Sequence, residues 1–315
     1  MKKILTIILV ILAVVSLIGC NQDYLQNYKE AVEKTDGRSQ GKESIKISIN
    51  NDFNQENISQ EIIEELNYLK NIEFEVTSSF NKSYSKSRAY IKYRGLGYDI
   101  NLYTGESETL VQIPIINKYI KIDNEDLGFN EDEENNFEGM EELTSKIQGE
   151  WLDLLQKEDV VKGKRDLMTT QDGDVKVDKY TISPSEEQLR LFLKKFFAVL
   201  RSEEESLKAL IQNQNEKVNV EEIVNNLENA IDEFEKITFK NETYIDVDGY
   251  IVKEFINIDL ENYDPQPGSN SKISVKVEIE NWENEADQTI EIPEVEESDL
   301  IDLESMENNF ESFIK

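Results

Sequence analysis

The stretch that decides the fold reads Tyr98-Asp99-Ile100-Asn101-Leu102-Tyr103 and ends in the turn Thr104-Gly105. Apolar and polar residues alternate along it, which is the period of a β-strand with one buried face. Short segments of similar pattern lie on both sides of it, separated by turns rich in Asn and Gly: Ile72–Phe80, Ala89–Tyr93, Leu110–Pro114 and Lys118–Ile122. Short strands joined by tight turns predict an antiparallel sheet over residues 72–122.

Strand patterns return elsewhere in the chain. Residues 45–49 alternate isoleucine with polar residues, which predicts an earlier strand. Two hairpins are predicted at residues 160–182 and 237–260, because each contains an Asp-Gly pair, at Asp172-Gly173 and Asp248-Gly249, and this pair is typical of two-residue turns. Further strands are predicted at Ile273–Ile279 and Thr289–Ile292.

Helical spacing of apolar residues predicts five helices among these strands. One begins at Ser183-Pro184-Ser185-Glu186, where an N-cap serine precedes a proline at the first helical position and a glutamate three residues on. Another begins at Asn219, with Glu222 three residues later. The other three are Tyr24–Thr35, Asn57–Leu69 and Phe137–Lys157. Helices and strands together predict an α+β fold built on an antiparallel sheet.

The two capped helices carry the candidate binding residues. Their apolar faces consist of Leu189, Phe192, Leu193, Phe196, Phe197 and Leu200 on the first helix, and Val224, Leu227 and Ile231 on the second. Such faces are most simply packed core, while the sharper hypothesis makes them the lining of a pocket for an apolar ligand. The sequence leaves both interpretations open.

The N-terminus predicts a lipid anchor. Lys2 and Lys3 precede an apolar run from Ile4 to Val15, and Leu17-Ile18-Gly19-Cys20 follows as a lipobox. A plain secretory signal and an anchor helix are the alternatives, but the run is shorter than the roughly 20 residues that span a bilayer. Because Cys20 is the only cysteine, we expect it to be acylated and to hold the protein on the extracytoplasmic face of a bacterial membrane.

Composition restricts the function. The chain of 315 residues has a net charge of −32, which makes nucleic acid a poor partner because both are anionic. Histidine is absent, so the commonest general base and transition-metal ligand are missing. With Cys20 acylated, no thiol remains for catalysis or thiolate metal binding. We therefore expect no enzyme, no catalytic residues, no cofactor and no metal.

Three motifs come close to known sites without matching them. Asp123–Glu134 has the Gly and the final Glu of a calcium loop, but Leu127 stands where an oxygen ligand is needed. Asp246-Val247-Asp248-Gly249 is better explained as a hairpin turn. Ser83-Tyr84-Ser85-Lys86 spells Ser-x-x-Lys, but it falls in a predicted turn and lacks companion motifs.

Several segments together resemble the LolA/LppX-like superfamily, in the form found in Gram-positive lipoproteins. These are the short helix with Ala31–Thr35, the strand pair Leu110–Pro114 and Tyr119–Asp123, the late hairpin Tyr244–Val252 and a closing strand at Ile290–Pro293. The resemblance implies a curved antiparallel half-barrel with helices on its concave face and an apolar cavity that can hold lipid acyl chains. It implies no catalytic residues.

These expectations give a domain plan and a function. We expect a signal peptide at residues 1–19, a lipid-anchored tether and short helix at 20–36, the α+β domain at 37–297, and an acidic tail at 298–315 whose apolar residues have helical spacing. The expected function is the non-catalytic binding of a hydrophobic small molecule or lipid. The alternative is an envelope interaction protein with a filled core and no small-molecule ligand; the sequence identifies no protein partner.

Overall fold

The computed structural model describes residues 23–93, 95–123, 135–203, 219–263 and 265–301. It contains five α-helices in this part of the chain: α1 (Tyr24–Asp36), α2 (Gln60–Leu69), α3 (Asn135–Leu154), α4 (Glu186–Ser202) and α5 (Val220–Asp232). The predicted signal peptide, Cys20, residues 124–134 of the calcium-like segment Asp123–Glu134 and the tail beyond Ile301 lie outside the described residues.

Eleven strands form one antiparallel sheet. They are β1 (Gly41–Phe53), β2 (Asn71–Phe80), β3 (Ser85–Tyr93), β4 (Leu96–Thr104), β5 (Glu108–Ile113), β6 (Lys118–Asp123), β7 (Val160–Thr170), β8 (Gly173–Ile182), β9 (Lys236–Asp246), β10 (Ile251–Glu261) and β11 (Asn270–Trp282). Their order is β6-β5-β4-β3-β2-β1-β11-β10-β9-β8-β7, and within the described chain the edge strands β6 and β7 do not pair. The predicted α+β class with an open, curved antiparallel sheet is confirmed.

The pairing of β1 with β11 joins the two ends of the chain into one sheet. Ile45, Ile47 and Ile49 lie opposite Ile279, Val277 and Val275. On its other side β1 pairs with β2, where Ile47 lies opposite Phe74. Both predicted Asp-Gly turns are confirmed: Gly173 and Gly249 have φ values of 96° and 88°, a region that glycine enters without steric cost.

Helices α1, α3, α4 and α5 lie over the half of this sheet that contains β7–β11. Helix α3 connects the two edge strands β6 and β7, while α4 and α5 follow one another between β8 and β9. Helix α4 packs against α3, α5 and β9, and α1 packs against β7 and β10. Ion pairs reinforce these contacts, with Lys195 bound to Glu150 between α3 and α4, and Arg201 bound to Glu228 between α4 and α5.

Helix α1 is part of the hydrophobic core. Tyr28 and Ala31 are buried together with residues of α3, β7, β8, β9 and β10. At the end of the helix the Thr35 hydroxyl donates a hydrogen bond to the Ala31 carbonyl (2.7 Å) and accepts one from the Ile251 amide (2.8 Å). The helix predicted beside the tether is therefore fixed on the sheet.

Four local predictions need correction. The N-cap of α4 is Ser185 with Gln188 in the box position, instead of Ser183 with Glu186. Helix α3 spans Asn135–Leu154, so the helix predicted at Phe137–Lys157 includes two residues before its expected start and ends three residues earlier. Helix α2 begins at Gln60 because Ser59 is its cap.

The fourth correction concerns the predicted strand Thr289–Ile292. It overlaps Ile290–Pro293, the closing strand implied by the resemblance to the LolA/LppX-like superfamily. This segment has no regular secondary structure and no strand partner among the described residues. It belongs to a C-terminal strap, residues 283–301, which passes Asn81 at the β2–β3 turn and reaches β6. There the Ile301 amide donates a hydrogen bond to the Tyr119 carbonyl. The strap reaches β6 only at Tyr119 and adds no strand to the ladder, because an alternating pattern alone does not specify a pairing partner.

A candidate apolar binding site

A cavity of about 400 Å³ lies between the helices and the sheet. Its walls come from α1, α3, α4 and α5 on one side and from β9, β10 and β11 on the other. The lining residues are Tyr28, Trp151, Leu189, Phe192, Leu193, Ile231, Ile237, Phe239, Asn241, Glu254, Ile256, Ile258, Leu260 and Val275. This volume lies within the range of about 300–1,000 Å³ that is typical of small-molecule sites.

The sheet wall follows from the strand period. Alternate residues of a strand point to the same face, so Ile237, Phe239 and Asn241 share the face that carries the cavity. The register places Ile258 opposite Phe239 on β9 and opposite Val275 on β11. Three adjacent strands therefore contribute one continuous apolar surface.

The helix wall is aromatic. The Trp151 ring lies 5.3 Å from the Phe192 ring and 4.8 Å from the Phe239 ring, measured between centroids. Phe192 in turn lies 6.2 Å from Phe196. Such ring contacts stabilise a wall beyond the area that it buries, by about 0.5–1.5 kcal/mol for a pair.

The structure divides the nine predicted residues among three environments. Leu189, Phe192, Leu193 and Ile231 line the cavity. Phe197 and Val224, 2% and 3% exposed, are packed in the α4–α5 contact, with Phe196 and Leu200 against them. Leu227 is 49% exposed. The part of the helical face near β9 thus borders the cavity, whereas the part near the C-terminal end of α4 is filled core. The role of the nine predicted residues in ligand binding stays a prediction.

Sequence reasoning missed Tyr28, Trp151 and the whole sheet wall. Alternation showed which residues of β9 and β10 share a face, but not which face the helices cover. One local signal was present: Asn241 and Glu254 occupy cavity-facing positions in strands whose other cavity-facing residues are apolar.

Asn241 and Glu254 form a polar corner in this apolar cavity. The Glu254 carboxyl accepts hydrogen bonds at Oε1 from Asn241 Nδ2 (2.9 Å) and from the hydroxyl of Thr243 (2.7 Å). Asn241 is 2% exposed, and its Oδ1 has no hydrogen-bond partner among the described residues. No described cation forms an ion pair with Glu254.

Burial dominates the electrostatics of this corner. It raises the pKa of the Glu254 carboxyl above its ordinary value of 4.5, against the hydrogen bonds from Asn241 and Thr243, and the negative charge of Asp36 acts in the same direction as burial. Burial also raises the pKa of the Tyr28 hydroxyl, with the Glu254 charge adding to the effect. Burial therefore stabilises the neutral form of each group relative to the same group in water.

The arrangement is suited to binding an apolar molecule. Among the described residues, no group of three or more His, Cys, Asp or Glu side chains is placed to hold a metal ion. None of the helices in the described ranges has the length and apolar character needed to cross a membrane.

Comparison with known proteins gives weak likenesses only. No family model matches the chain, and no curated protein matches it. Among solved structures it is similar to a LolA superfamily protein from Nitrosomonas europaea, with 8% identity over 89% of this chain and 97% of the other, at a TM-score of 0.17. It is also similar to a beta-barrel-like protein, a domain of unknown function, from Brucella abortus, with 8% identity over 78% of this chain and 100% of the other, at a TM-score of 0.20. Scores this low carry no argument about function.

Proposed function

We propose that this chain is a membrane-anchored extracytoplasmic lipoprotein that binds a hydrophobic small molecule or lipid in the cavity between its helices and its sheet. The role is one of binding, without a chemical step. The single observation that carries the proposal is the apolar cavity of about 400 Å³ lined by aromatic and aliphatic side chains.

The energetics support this role. Removing apolar surface from water stabilises a complex by about 25 cal/mol for each Å². The cavity is preformed, and the aromatic rings of Trp151, Phe192 and Phe239 in its wall contact one another, so ligand binding needs little rearrangement. Much of the free energy gained by burying the apolar surface of a ligand would therefore contribute to its affinity.

The predicted anchor would hold the cavity near the membrane. Cys20 precedes Asp23 by three residues, a span of at most about 11 Å. Asp23 is fixed to the domain, since it caps α1 and pairs with Lys157 at 2.7 Å. A lipid attached at Cys20 would thus leave the domain little room to move away from the bilayer, which favours exchange of an apolar ligand with it.

Dye binding tests the cavity. We expect the purified protein to enhance the fluorescence of the neutral apolar dye N-phenylnaphthylamine, and Phe192→Asp to abolish the enhancement because a charge would enter the cavity wall. Leu191→Asp is the matched control, because Leu191 is the preceding residue of α4 and is 49% exposed. Equal enhancement by both folded variants would contradict the proposal.

Membrane fractionation tests the anchor. We expect the wild-type protein, expressed in a bacterium that acylates lipoproteins, to sediment with the membrane, and Cys20→Ser to lose this association. A wild-type protein whose intact mass shows no acyl group at Cys20 would contradict this part of the proposal.

A further inference from the structure

A cavity that binds a purely apolar ligand does not need polar groups in its wall, yet this cavity contains the polar corner. Nearly all of the lining is aliphatic or aromatic, and an unpaired carboxyl within it costs free energy compared with an apolar side chain. Glu254, Asn241 and Tyr28 bring carboxyl, amide and hydroxyl groups into this lining. Their hydrogen-bonding capacity indicates what a ligand could offer.

We propose that the cavity selects an apolar molecule whose enclosed end carries an uncharged hydrogen-bond donor, such as a hydroxyl group, and disfavours one that ends in a carboxylate. This inference rests on the proposed function, because it names the chemical class of ligand for the same cavity.

The hydrogen-bond geometry supports a donor on the ligand. Both protein donors to Glu254 reach the same oxygen, Oε1, from Asn241 at 2.9 Å and from Thr243 at 2.7 Å. Oε2 receives no hydrogen bond from the described residues and therefore has acceptor capacity left. The Oδ1 atom of Asn241 is a second acceptor without a partner. The corner thus has more acceptors than the protein satisfies.

Charge disfavours an anionic end. Within the described chain no cation pairs with Glu254, and Asp36 is near enough to act on the Glu254 carboxyl. A ligand carboxylate would meet the negative charge of Asp36, and that of Glu254 when its carboxyl is ionised, and no described cation pairs with Glu254 to compensate. A hydroxyl group carries no such penalty, and it can donate to Glu254 whether or not that carboxyl is protonated.

Quenching of Trp151 fluorescence provides a direct test. The chain has two tryptophans, so Trp282→Phe leaves Trp151 in the cavity wall as the reporter. Three brominated quenchers with the same apolar chain are compared: bromododecanol, its methyl ether and bromododecanoate. The ether retains the oxygen as an acceptor but cannot donate.

We expect the alcohol to bind about tenfold more tightly than its ether, the factor that corresponds to one buried hydrogen bond, and more tightly still than the carboxylate. Glu254→Gln should remove most of the preference for the alcohol over the ether, because the glutamine can keep the bonds to Asn241 and Thr243 but presents an amide donor to the ligand. Glu242→Gln is the matched control, since Glu242 lies next to Asn241 on β9 and pairs with Lys179 away from the cavity.

The outcomes separate this inference from the proposed function. Equal binding of alcohol and ether to the Trp282→Phe protein overturns the donor preference while apolar binding stands, and this comparison does not depend on the folding of Glu254→Gln. Loss of the preference in Glu242→Gln as well as in Glu254→Gln also overturns it. Failure of all three compounds to quench Trp151 overturns the proposed function itself.

Discussion

At the scale of single residues, Glu254 in the polar corner shows what the alternating pattern of a strand can and cannot predict. Along β10 the cavity-facing positions are Glu254, Ile256, Ile258 and Leu260, so Glu254 interrupts an apolar series. In a chain with 66 acidic residues one more glutamate does not stand out, and its burial depends on α1 packing over the sheet. The pattern therefore predicts the face on which Glu254 lies, but not its environment.

The raised pKa of Glu254 gives a pH dependence of stability. Its value in the folded protein lies above 4.5, so the folded state binds more protons than the unfolded state as pH rises from 4.5. This contribution to stability is fully present below pH 4.5 and is lost as pH rises through the folded pKa. In chemical denaturation at a series of pH values, we expect the free energy of unfolding of the wild-type protein to fall by up to about 1.4 kcal/mol for each pH unit through the folded pKa of Glu254. Glu254→Gln should abolish this fall.

Glu242 provides a control of opposite sign. Its hydrogen bond and ion pair with Lys179 lower its pKa below 4.5, so its contribution is present above pH 4.5 and is lost as pH falls through the lowered value. Glu242→Gln should change the acid limb of the stability profile and leave the limb above pH 4.5 unaltered. The same response from both variants would contradict the assigned environment of Glu254.

At the scale of single elements, the helices were predictable in extent and less so at their ends. The sequence Ser183-Pro184-Ser185-Glu186 predicted Ser183 as the N-cap, whereas the structure places the cap at Ser185. The side chain of Gln188 accepts from the Ser185 amide (2.8 Å) and also bonds to the Leu154 carbonyl and to Asp159. Gln188 therefore joins the start of α4 to the end of α3, a contact between distant segments that no local cap rule includes.

Replacing each serine tests this cap. We expect Ser185→Ala to lower the free energy of unfolding by about 1 kcal/mol, because the Gln188 amide would lose its hydrogen-bond acceptor. Ser183→Ala is the matched control, because Ser183 is exposed, and we expect a change within about 0.5 kcal/mol. A larger effect at Ser183 than at Ser185 in urea denaturation would show that the helix begins two residues earlier.

The Thr35 hydroxyl group ties the C-terminal end of α1 to the sheet, in addition to the apolar contacts of Tyr28 and Ala31. Thr35→Val should lower the free energy of unfolding by about 1–3 kcal/mol, because the buried Ile251 amide would lose its acceptor. Thr35→Ser keeps the hydroxyl and should cost less than about 1 kcal/mol. Equal losses for the two variants would indicate that the methyl group, and not the hydrogen bond, supports the contact.

At the scale of the whole molecule, the sequence predicted the class of fold and most of the hairpins, because these depend on local turns and on strand period. It did not predict that β1 lies beside β11, since nothing in residues 45–49 specifies a partner more than 200 positions away. That pairing unites the sheet, and the path of α3 from β6 to β7 brings Trp151 over β9. The cavity depends on both features, which explains why its helical residues were identified while its sheet wall was missed.

The most direct test of the binding function is native mass spectrometry of the protein purified from the membrane fraction. We expect the wild-type protein to carry a co-purified apolar molecule in addition to any acyl group at Cys20. Ile258→Trp, which places an indole in the cavity of about 400 Å³ opposite Phe239, should remain folded and lose that molecule. A wild-type protein that is consistently empty and takes up no added apolar compound would contradict the account and favour a filled core with a role in protein interaction.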